Sequence, residues 1–298
     1  MKEAKWRTHI RLMRLFPLPV MVATVLLGGL LAGGVTGSVW LAVVIGFLLM
    51  IAGHYYNSFS DHHYGLDRGD ERSVQKPYTG GSSVIALGLA SPREVLLWAL
   101  AFYLISGGLI ALICIQVESL WPLLGWGLGA TAGPIYAPGF MKGIKYVGFP
   151  EYCGLVGFGI GGALLGFTAV SGAISWIPVL CGLAITMPFA ACWAFDQYPD
   201  GLSDSKKGVK NIGTILWLVD IPLGPYFSSV VLFCYWFLTI PVIIGWLSPW
   251  VFLSAAVYPL AILTSVLIDR RFEKAVMLGF AWMSLMAVLI TLGQWIGG

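Results

Sequence analysis

Charged residues are scarce in this chain of 298 residues, in which Asp, Glu, Lys and Arg make up 10%, against about 25% in soluble domains. Hydrophobic residues make up 58%, so water cannot be the main solvent of the folded chain. The 5 cysteines lie in apolar segments without CxxC spacing, which argues against a zinc site and a disulfide framework. No nucleic-acid motif is present, and the net charge of +3 is too small to indicate a nucleic-acid partner.

Long apolar segments recur along the whole sequence instead. Each has about 20 residues, the length of helix that crosses about 30 Å of hydrocarbon. The approximate spans are Phe16–Gly34, Val39–Asn57, Val95–Val117, Leu120–Pro138, Tyr152–Ser171, Trp176–Phe195, Phe227–Trp246, Trp250–Ile268 and Val276–Ile296. We therefore expect an all-α, polytopic membrane protein with about nine transmembrane helices around a central cavity, forming one domain over residues 1–298.

The basic residues predict the orientation of these helices. Five of them, Lys2, Lys5, Arg7, Arg11 and Arg14, precede the first span, and every other Lys and Arg falls in the loops after spans two, four, six and eight. Basic loops remain in the cytoplasm, so we expect an integral protein of the cytoplasmic membrane with its amino terminus inside. Among the acids, we place Glu118 alone on the opposite side.

Acidic residues gather in two of the inside loops. One loop follows the second span and the other follows the sixth, so both lie at the same membrane depth. The candidate ligands among them, with one amide that begins the first motif, are Asn57, Asp61, Asp67, Asp196, Asp200 and Asp204.

The spacing of the second acidic set indicates a bound cation. On a helix, Asp196, Asp200 and Asp204 would stack on one face, where like charges repel unless a cation lies between them. Pro199 predicts a kink beside this site. Carboxylate oxygens suit Mg²⁺, which takes one or two carboxylates plus substrate phosphates. Any single acid could belong to a solvated loop, but two acidic loops favour a shared site for Mg²⁺ and a diphosphate.

Basic and aromatic side chains would complete such a site, because Mg²⁺ cannot alone neutralise the carboxylates and a diphosphate of about −3. Candidates for binding phosphate oxygens are Arg72, Lys76, Lys142, Lys145 and Lys210. Membrane topology alone would also explain any one of these cations. Candidates for the wall of a pocket that stabilises a carbocation are Tyr136, Tyr146 and Tyr198. His54, an ionisable residue inside a span, is either a buried polar residue or part of a site.

Taken together, these motifs resemble those of the UbiA superfamily of intramembrane prenyltransferases. In particular they are similar to the menaquinone-pathway branch, the 1,4-dihydroxy-2-naphthoate polyprenyltransferases. The residues that carry the likeness, in chain order, are Asn57, Asp61, Gly65, Asp67, Gly80, Gly81, Tyr136, Pro138, Lys145, Tyr146, Gly148, Glu151, Asp200, Asp204, Gly208, Lys210 and Asn211.

The resemblance implies Mg²⁺-dependent transfer of a prenyl chain from a prenyl diphosphate to an aromatic acceptor, in quinone or prenyl-lipid biosynthesis. The acceptor would be similar to 1,4-dihydroxy-2-naphthoate or hydroxybenzoate. Catalysis would fall to Asp61, Asp67, Asp196, Asp200 and Lys145. The metal ligands would be Asp61, Asp67, Asp196, Asp200 and Asp204. Substrate would contact Asn57, Arg72, Lys76, Tyr136, Lys142, Tyr146, Tyr198, Lys210 and Asn211. Membrane lipid would surround the helices, and no obligate protein partner is evident.

Two other functions remain open from the sequence. A membrane terpene cyclase would use the same ionisation and let the cation close on itself. A transporter or lipid-binding protein would also carry membrane acids, but transporter sites lie near the midplane on broken helices. The acids here lie at one surface, which favours the enzyme.

Overall fold

The computed structural model describes residues 5–65, 84–137, 143–148 and 150–298, and no β-strand occurs in those ranges. The longer helices, in chain order, are α1 (Lys5–Met13), α2 (Leu18–Leu31), α3 (Gly37–His63), α4 (Pro92–Gln116), α5 (Pro122–Tyr136), α6 (Tyr152–Ser171), α7 (Ile177–Thr186), α8 (Pro188–Gln197), α9 (Gly201–Lys206), α10 (Ile212–Leu218), α11 (Leu223–Ile243), α12 (Tyr258–Leu267) and α13 (Phe272–Gly297). Short 3₁₀ segments lie at Ile144–Tyr146, Tyr198–Asp200 and Pro249–Val257.

The all-α membrane architecture expected from the sequence is confirmed. Within the described ranges, 6 helices are long and apolar enough to cross a membrane, or up to 8 if each bent pair counts as one span. Each of the nine predicted spans coincides with a helix or a helix pair. The fourth falls on α5, which has 15 residues and is shorter than the ~20 residues of a full crossing. Nine is therefore an approximate count.

Two pairs of helices are bent at a short break, and one pair, α7 with α8, corresponds to the sixth predicted span. The helices α1 and α2 meet at 54°, and α7 and α8 meet at 42°. The second break comes directly before Pro188, whose ring removes a hydrogen-bond donor from the helix ladder. Both breaks matter for the site, because α8 leads into the second acidic segment and Arg14 lies at the first break.

Lipid-facing and core-facing surfaces are clearly separated. Large apolar side chains on the outside, such as Leu104 (76% exposed) and Ile243 (82% exposed), suit a lipid environment. Inside the carboxyl-terminal half, Phe227 packs between Phe195 and Trp282, with ring centroids 5.0 Å and 5.5 Å away. This aromatic core joins α8, α11 and α13.

Glycines allow the amino-terminal helices to approach closely. A Cβ atom on Gly166 of α6 would collide with the carbonyl oxygen of Val25 on α2, and a Cβ on Gly28 of α2 would collide with the carbonyl oxygen of Ala163. Small residues at such positions are a usual device for packing helices in membranes, where the hydrophobic effect does not drive association.

We predict that Gly166→Ala lowers the free energy of unfolding by about 1–3 kcal/mol, because the added methyl group must push α2 and α6 apart. Thermal unfolding of the detergent-purified protein measures the change. The matched control is Gly108→Ala on α4, where a Cβ meets nothing within 4 Å. Equal melting temperatures for the two variants would show that the α2–α6 contact is not tight.

Candidate active site

The first half of the site is a buried cluster of three side chains. Asn57 and Asp61 lie one turn apart near the end of α3, and Lys145 reaches them from the 3₁₀ turn at Ile144–Tyr146. The Lys145 ammonium donates to Asp61 Oδ1 at 2.7 Å and to Asn57 Oδ1 at 3.1 Å. The Asn57 amide donates in turn to Asp61 Oδ2 at 3.1 Å. Both carboxylate oxygens of Asp61 are therefore engaged.

Electrostatics keep Lys145 charged in this buried position. Burial alone would lower the pKa of Lys145, but the adjacent Asp61 carboxylate outweighs it, so the pKa lies above its ordinary value. The ammonium also lies 4.7 Å from the centroid of the Tyr136 ring, a cation–π distance. Tyr146 lies beside the same group, and its burial raises the pKa of its hydroxyl.

A 3₁₀ turn interrupts the second acidic segment, which is helical on either side of it. Asp196 lies on α8, Asp200 lies in the 3₁₀ turn at Tyr198–Asp200, and Asp204 lies on α9. The kink predicted at Pro199 is seen as this 3₁₀ turn, because proline has no N–H to donate to the hydrogen bonds of an α-helix. Asp196 and Asp204 remain within electrostatic range of each other and of Lys145 across this turn.

Asn211 ties Asp204 to the helix that follows. Its amide donates to Asp204 Oδ2 at 2.9 Å, and its own side-chain oxygen accepts the Thr214 N–H at 2.7 Å as the N-cap of α10. This second bond satisfies a donor that the first turn of a helix would otherwise leave unpaired. Asp204 is thus held by a residue that is itself fixed.

Backbone and side-chain hydrogen bonds join the two halves of the site. The Lys210 N–H donates to the Lys145 carbonyl at 2.7 Å. The buried Glu151 accepts the Ile212 N–H at 2.9 Å, and Gln197 accepts the Gly213 N–H at 3.2 Å. Burial raises the pKa of Glu151 above its ordinary value. As a result, Asp204 comes within electrostatic range of Lys145 and Asp61.

A cavity opens beside this cluster and runs into the membrane region. Its polar end is lined by Arg14, His54, Asn57, Tyr136 and Asp196. Farther in, the walls are apolar and rich in glycine, with Met21, Val25 and Leu165 at the inner end. Such a cavity can hold a polar head at one end and a hydrocarbon chain along its length.

The structure brings together some of the predicted site residues and not others. Asp67, Arg72, Lys76 and Lys142 lie outside the described residues. Lys210 contributes its backbone N–H to the link described above, while its side chain is exposed. Tyr198 is half-buried in the 3₁₀ turn, where it packs against the carboxyl-terminal core.

Sequence reasoning did not identify Arg14 as a site residue. It grouped Arg14 with the basic residues that set membrane orientation, and only the bend between α1 and α2 directs this side chain into the cavity. The sequence carried one signal for His54, an ionisable group inside an apolar span. Glu151 was noticed only through family likeness, and its bond to the Ile212 N–H could not be read from spacing.

The oxygen ligands present suit Mg²⁺. In the described part of the chain, no three His, Cys, Asp or Glu side chains converge closely enough to hold a metal by themselves. Mg²⁺ does not need such a cage, because it usually binds one or two carboxylates and takes its remaining ligands from phosphates and water. Asn57 and Asp61 on one side, with Asp196 and Asp204 on the other, fit that pattern.

Comparison with known proteins gives the family of this chain. The sequence matches the UbiA prenyltransferase family over residues 21–286. The chain belongs to the UbiA prenyltransferase family. As a UbiA member it is a polytopic membrane enzyme of the prenyltransferase class. No curated protein matches it closely enough to narrow that assignment.

Several solved structures share the fold over nearly their whole length. A UbiA homologue from Aeropyrum pernix K1 matches with a TM-score of 0.68 and 18% identity, covering 99% of this chain and 98% of its own. A homologue from Archaeoglobus fulgidus, solved with DMAPP and Mg²⁺, matches with a TM-score of 0.54 and 16% identity over 96% and 99%. A digeranylgeranylglyceryl phosphate synthase matches with a TM-score of 0.58 and 16% identity over 97% and 98%.

We predict that Lys145→Met destabilises the metal-free protein by about 3 kcal/mol, because it leaves the Asp61 carboxylate buried without its partner. Thermal or denaturant unfolding in detergent measures this loss. The double variant Lys145→Met/Asp61→Asn should recover much of the stability, since no uncompensated charge remains. The control Lys274→Met, at an exposed position, should change stability by less than about 0.5 kcal/mol. A similar small change for Lys145→Met would contradict a buried ion pair.

Proposed function

We propose that this UbiA protein transfers a prenyl chain from a prenyl diphosphate to an aromatic acceptor in an Mg²⁺-dependent reaction. One observation carries the proposal: Asn57 of the Asn57–Asp61–Lys145 cluster and Asp196 line the polar end of a cavity that is apolar along the rest of its length, and Asp204 lies within electrostatic range of that cluster. A prenyl diphosphate has the same division into a charged head and a hydrocarbon tail. The A. fulgidus homologue was solved with such a diphosphate, DMAPP, and with Mg²⁺.

Residues from both halves of the site would bind the diphosphate head group and its Mg²⁺. Asn57, Asp61, Asp196 and Asp204 would hold Mg²⁺, which when bound neutralises the diphosphate and makes it a better leaving group. Asp67 and Asp200 remain proposed ligands on sequence grounds. Lys145 is a fixed positive charge beside Asp61, positioned to stabilise phosphate oxygens as the carbon–oxygen bond breaks.

The cavity wall would protect the reacting carbon from water. Tyr136 lies between Lys145 and Trp193, whose ring stacks on it with centroids 6.4 Å apart. Phe189 packs against Trp193 at 4.9 Å and against Phe158 at 5.7 Å. Aromatic faces stabilise a developing allylic cation, and a dry cavity lets the acceptor ring, instead of water, meet that cation.

The proposal also covers the identity of the acceptor and the side of the membrane on which the site lies. An acceptor similar to 1,4-dihydroxy-2-naphthoate or hydroxybenzoate is supported by the sequence likeness to the menaquinone-pathway branch. A cytoplasmic site is supported by the basic loops, because Lys and Arg accumulate on the cytoplasmic side of membranes. Both would place the enzyme in quinone or prenyl-lipid synthesis at the cytoplasmic membrane.

We predict that Asp61→Asn and Asp204→Asn each lower kcat/KM for prenyl transfer by about 100-fold or more, the loss expected when a group that stabilises developing charge is removed. Purified protein is incubated with radiolabelled geranylgeranyl diphosphate, Mg²⁺ and a panel of hydroxylated aromatic acids, and prenylated acceptor is quantified. Omitting Mg²⁺ should abolish product with the unaltered chain.

The matched control is Asp220→Asn, which removes an exposed carboxylate at a positive φ of 54°, a backbone conformation that Asn tolerates well. It should retain activity. Cyclised hydrocarbon without any acceptor would replace the proposal with a terpene cyclase. If the protein neither binds nor turns over the diphosphate with any acceptor, the enzyme function is overturned.

A further inference from the structure

Asn211 is held by a backbone hydrogen bond on each side of it. The N–H of Lys210, directly before it, donates to the Lys145 carbonyl at 2.7 Å. The N–H of Ile212, directly after it, donates to the Glu151 carboxylate at 2.9 Å. Asn211 itself is extended, with φ −92° and ψ 170°, and an extended chain repeats every two residues. The two flanking N–H groups therefore face one side, and the position of Asn211 is fixed by both acceptors.

Glu151 makes its bond from outside the cavity. Only 2% of the residue is exposed, and it is not one of the described residues that line the cavity. Side chains accept the first three N–H groups of α10, which a helix would otherwise leave unpaired. These acceptors, in the order of the N–H groups, are Glu151, Gln197 and Asn211. Glu151 therefore acts on the start of α10 and not directly on a substrate.

A short series of contacts leads from the start of α10 to the metal ligands. The Asn211 amide donates to Asp204 Oδ2 at 2.9 Å. The start of α10 also lies close to the turn that carries the second acidic segment, because a Cβ atom on Gly213 would collide with the backbone nitrogen of Tyr198. A displacement at the start of α10 consequently reaches the Asp204 carboxylate.

We propose that Glu151 is a positioning residue for Mg²⁺. By holding the Ile212 N–H it places Asn211, and through Asn211 it orients the Asp204 carboxylate toward the metal and the diphosphate. The inference rests on the proposed function and deepens it. Hydrogen bonds behind a metal ligand orient that ligand, and their loss typically lowers metal affinity by about 10–100-fold.

The Mg²⁺ dependence of binding tests this proposal. Geranylgeranyl thiodiphosphate, an analogue of the diphosphate, is bound to the full chain in detergent while Mg²⁺ is titrated. Glu151→Leu should raise the Mg²⁺ concentration for half-maximal binding by about 10-fold or more. Glu151→Gln keeps an oxygen acceptor for the Ile212 N–H and should raise it by less than about threefold. The control Glu273→Leu, at an exposed position, should not change it.

A variant on the donor side separates positioning from stability. Ile212→Pro removes the same hydrogen bond at the first residue of α10, where proline is well tolerated, and the extended Asn211 suits the position before a proline. The double variant Glu151→Leu/Ile212→Pro should melt above Ile212→Pro, because the unpaired buried carboxylate is gone. Its Mg²⁺ requirement should stay raised. A normal Mg²⁺ requirement in the double variant would overturn the positioning role.

Hydrogen exchange of the metal-free protein gives a readout that does not need substrate. Backbone exchange in the peptide that covers residues 209–214 should be faster in Glu151→Leu than in the unaltered chain, and nearly unchanged in Glu151→Gln. Equal exchange in Glu151→Leu and the unaltered chain would overturn the inference. So would an unchanged Mg²⁺ requirement in Glu151→Leu, with the proposed function left standing. If the unaltered chain does not bind the analogue with Mg²⁺, the proposed function itself fails.

Discussion

The buried pair between Lys145 and Asp61 is the interaction on which the rest of the site depends. It joins residues 84 positions apart, and a buried charge of either sign would be strongly destabilising alone. Asn57 and the Tyr136 ring enclose the ammonium, and the Lys145 carbonyl binds the chain just before α10. The pair thus fixes the end of α3 against the segment that carries Asp204.

A charged cluster of this kind can exist at a membrane surface only if the helices around it seal the apolar side. Glycines at close contacts bring α2 and α6 together, and the aromatic core at Phe227 supports α8 from the other half. The result is a cavity with charged groups of both signs at one end and apolar side chains along its interior. Prenyl transfer requires this combination, because its leaving group is polyanionic and its reactive carbon must not meet water.

Hydropathy predicted much of the fold, because the length and polarity of a span follow directly from bilayer thickness. Spacing and family likeness also pointed to Asp61, Lys145 and Asp204, which the structure brings close together. The kink expected at Pro199 takes the form of a 3₁₀ turn. The entry of Arg14 into the cavity was not predicted, since it depends on contacts between helices distant in sequence. Asp67, Arg72, Lys76 and Lys142 stay predictions.

The central claim is that both acidic segments act on one diphosphate. The most direct test is equilibrium binding of geranylgeranyl thiodiphosphate, with and without Mg²⁺, to the unaltered chain, to Asp61→Asn, to Asp204→Asn and to the double variant. The account predicts Mg²⁺-dependent binding that either single variant largely removes, with little further loss in the double variant, because residues that act as a unit are not additive. Full Mg²⁺-dependent affinity in either single variant would contradict a shared site.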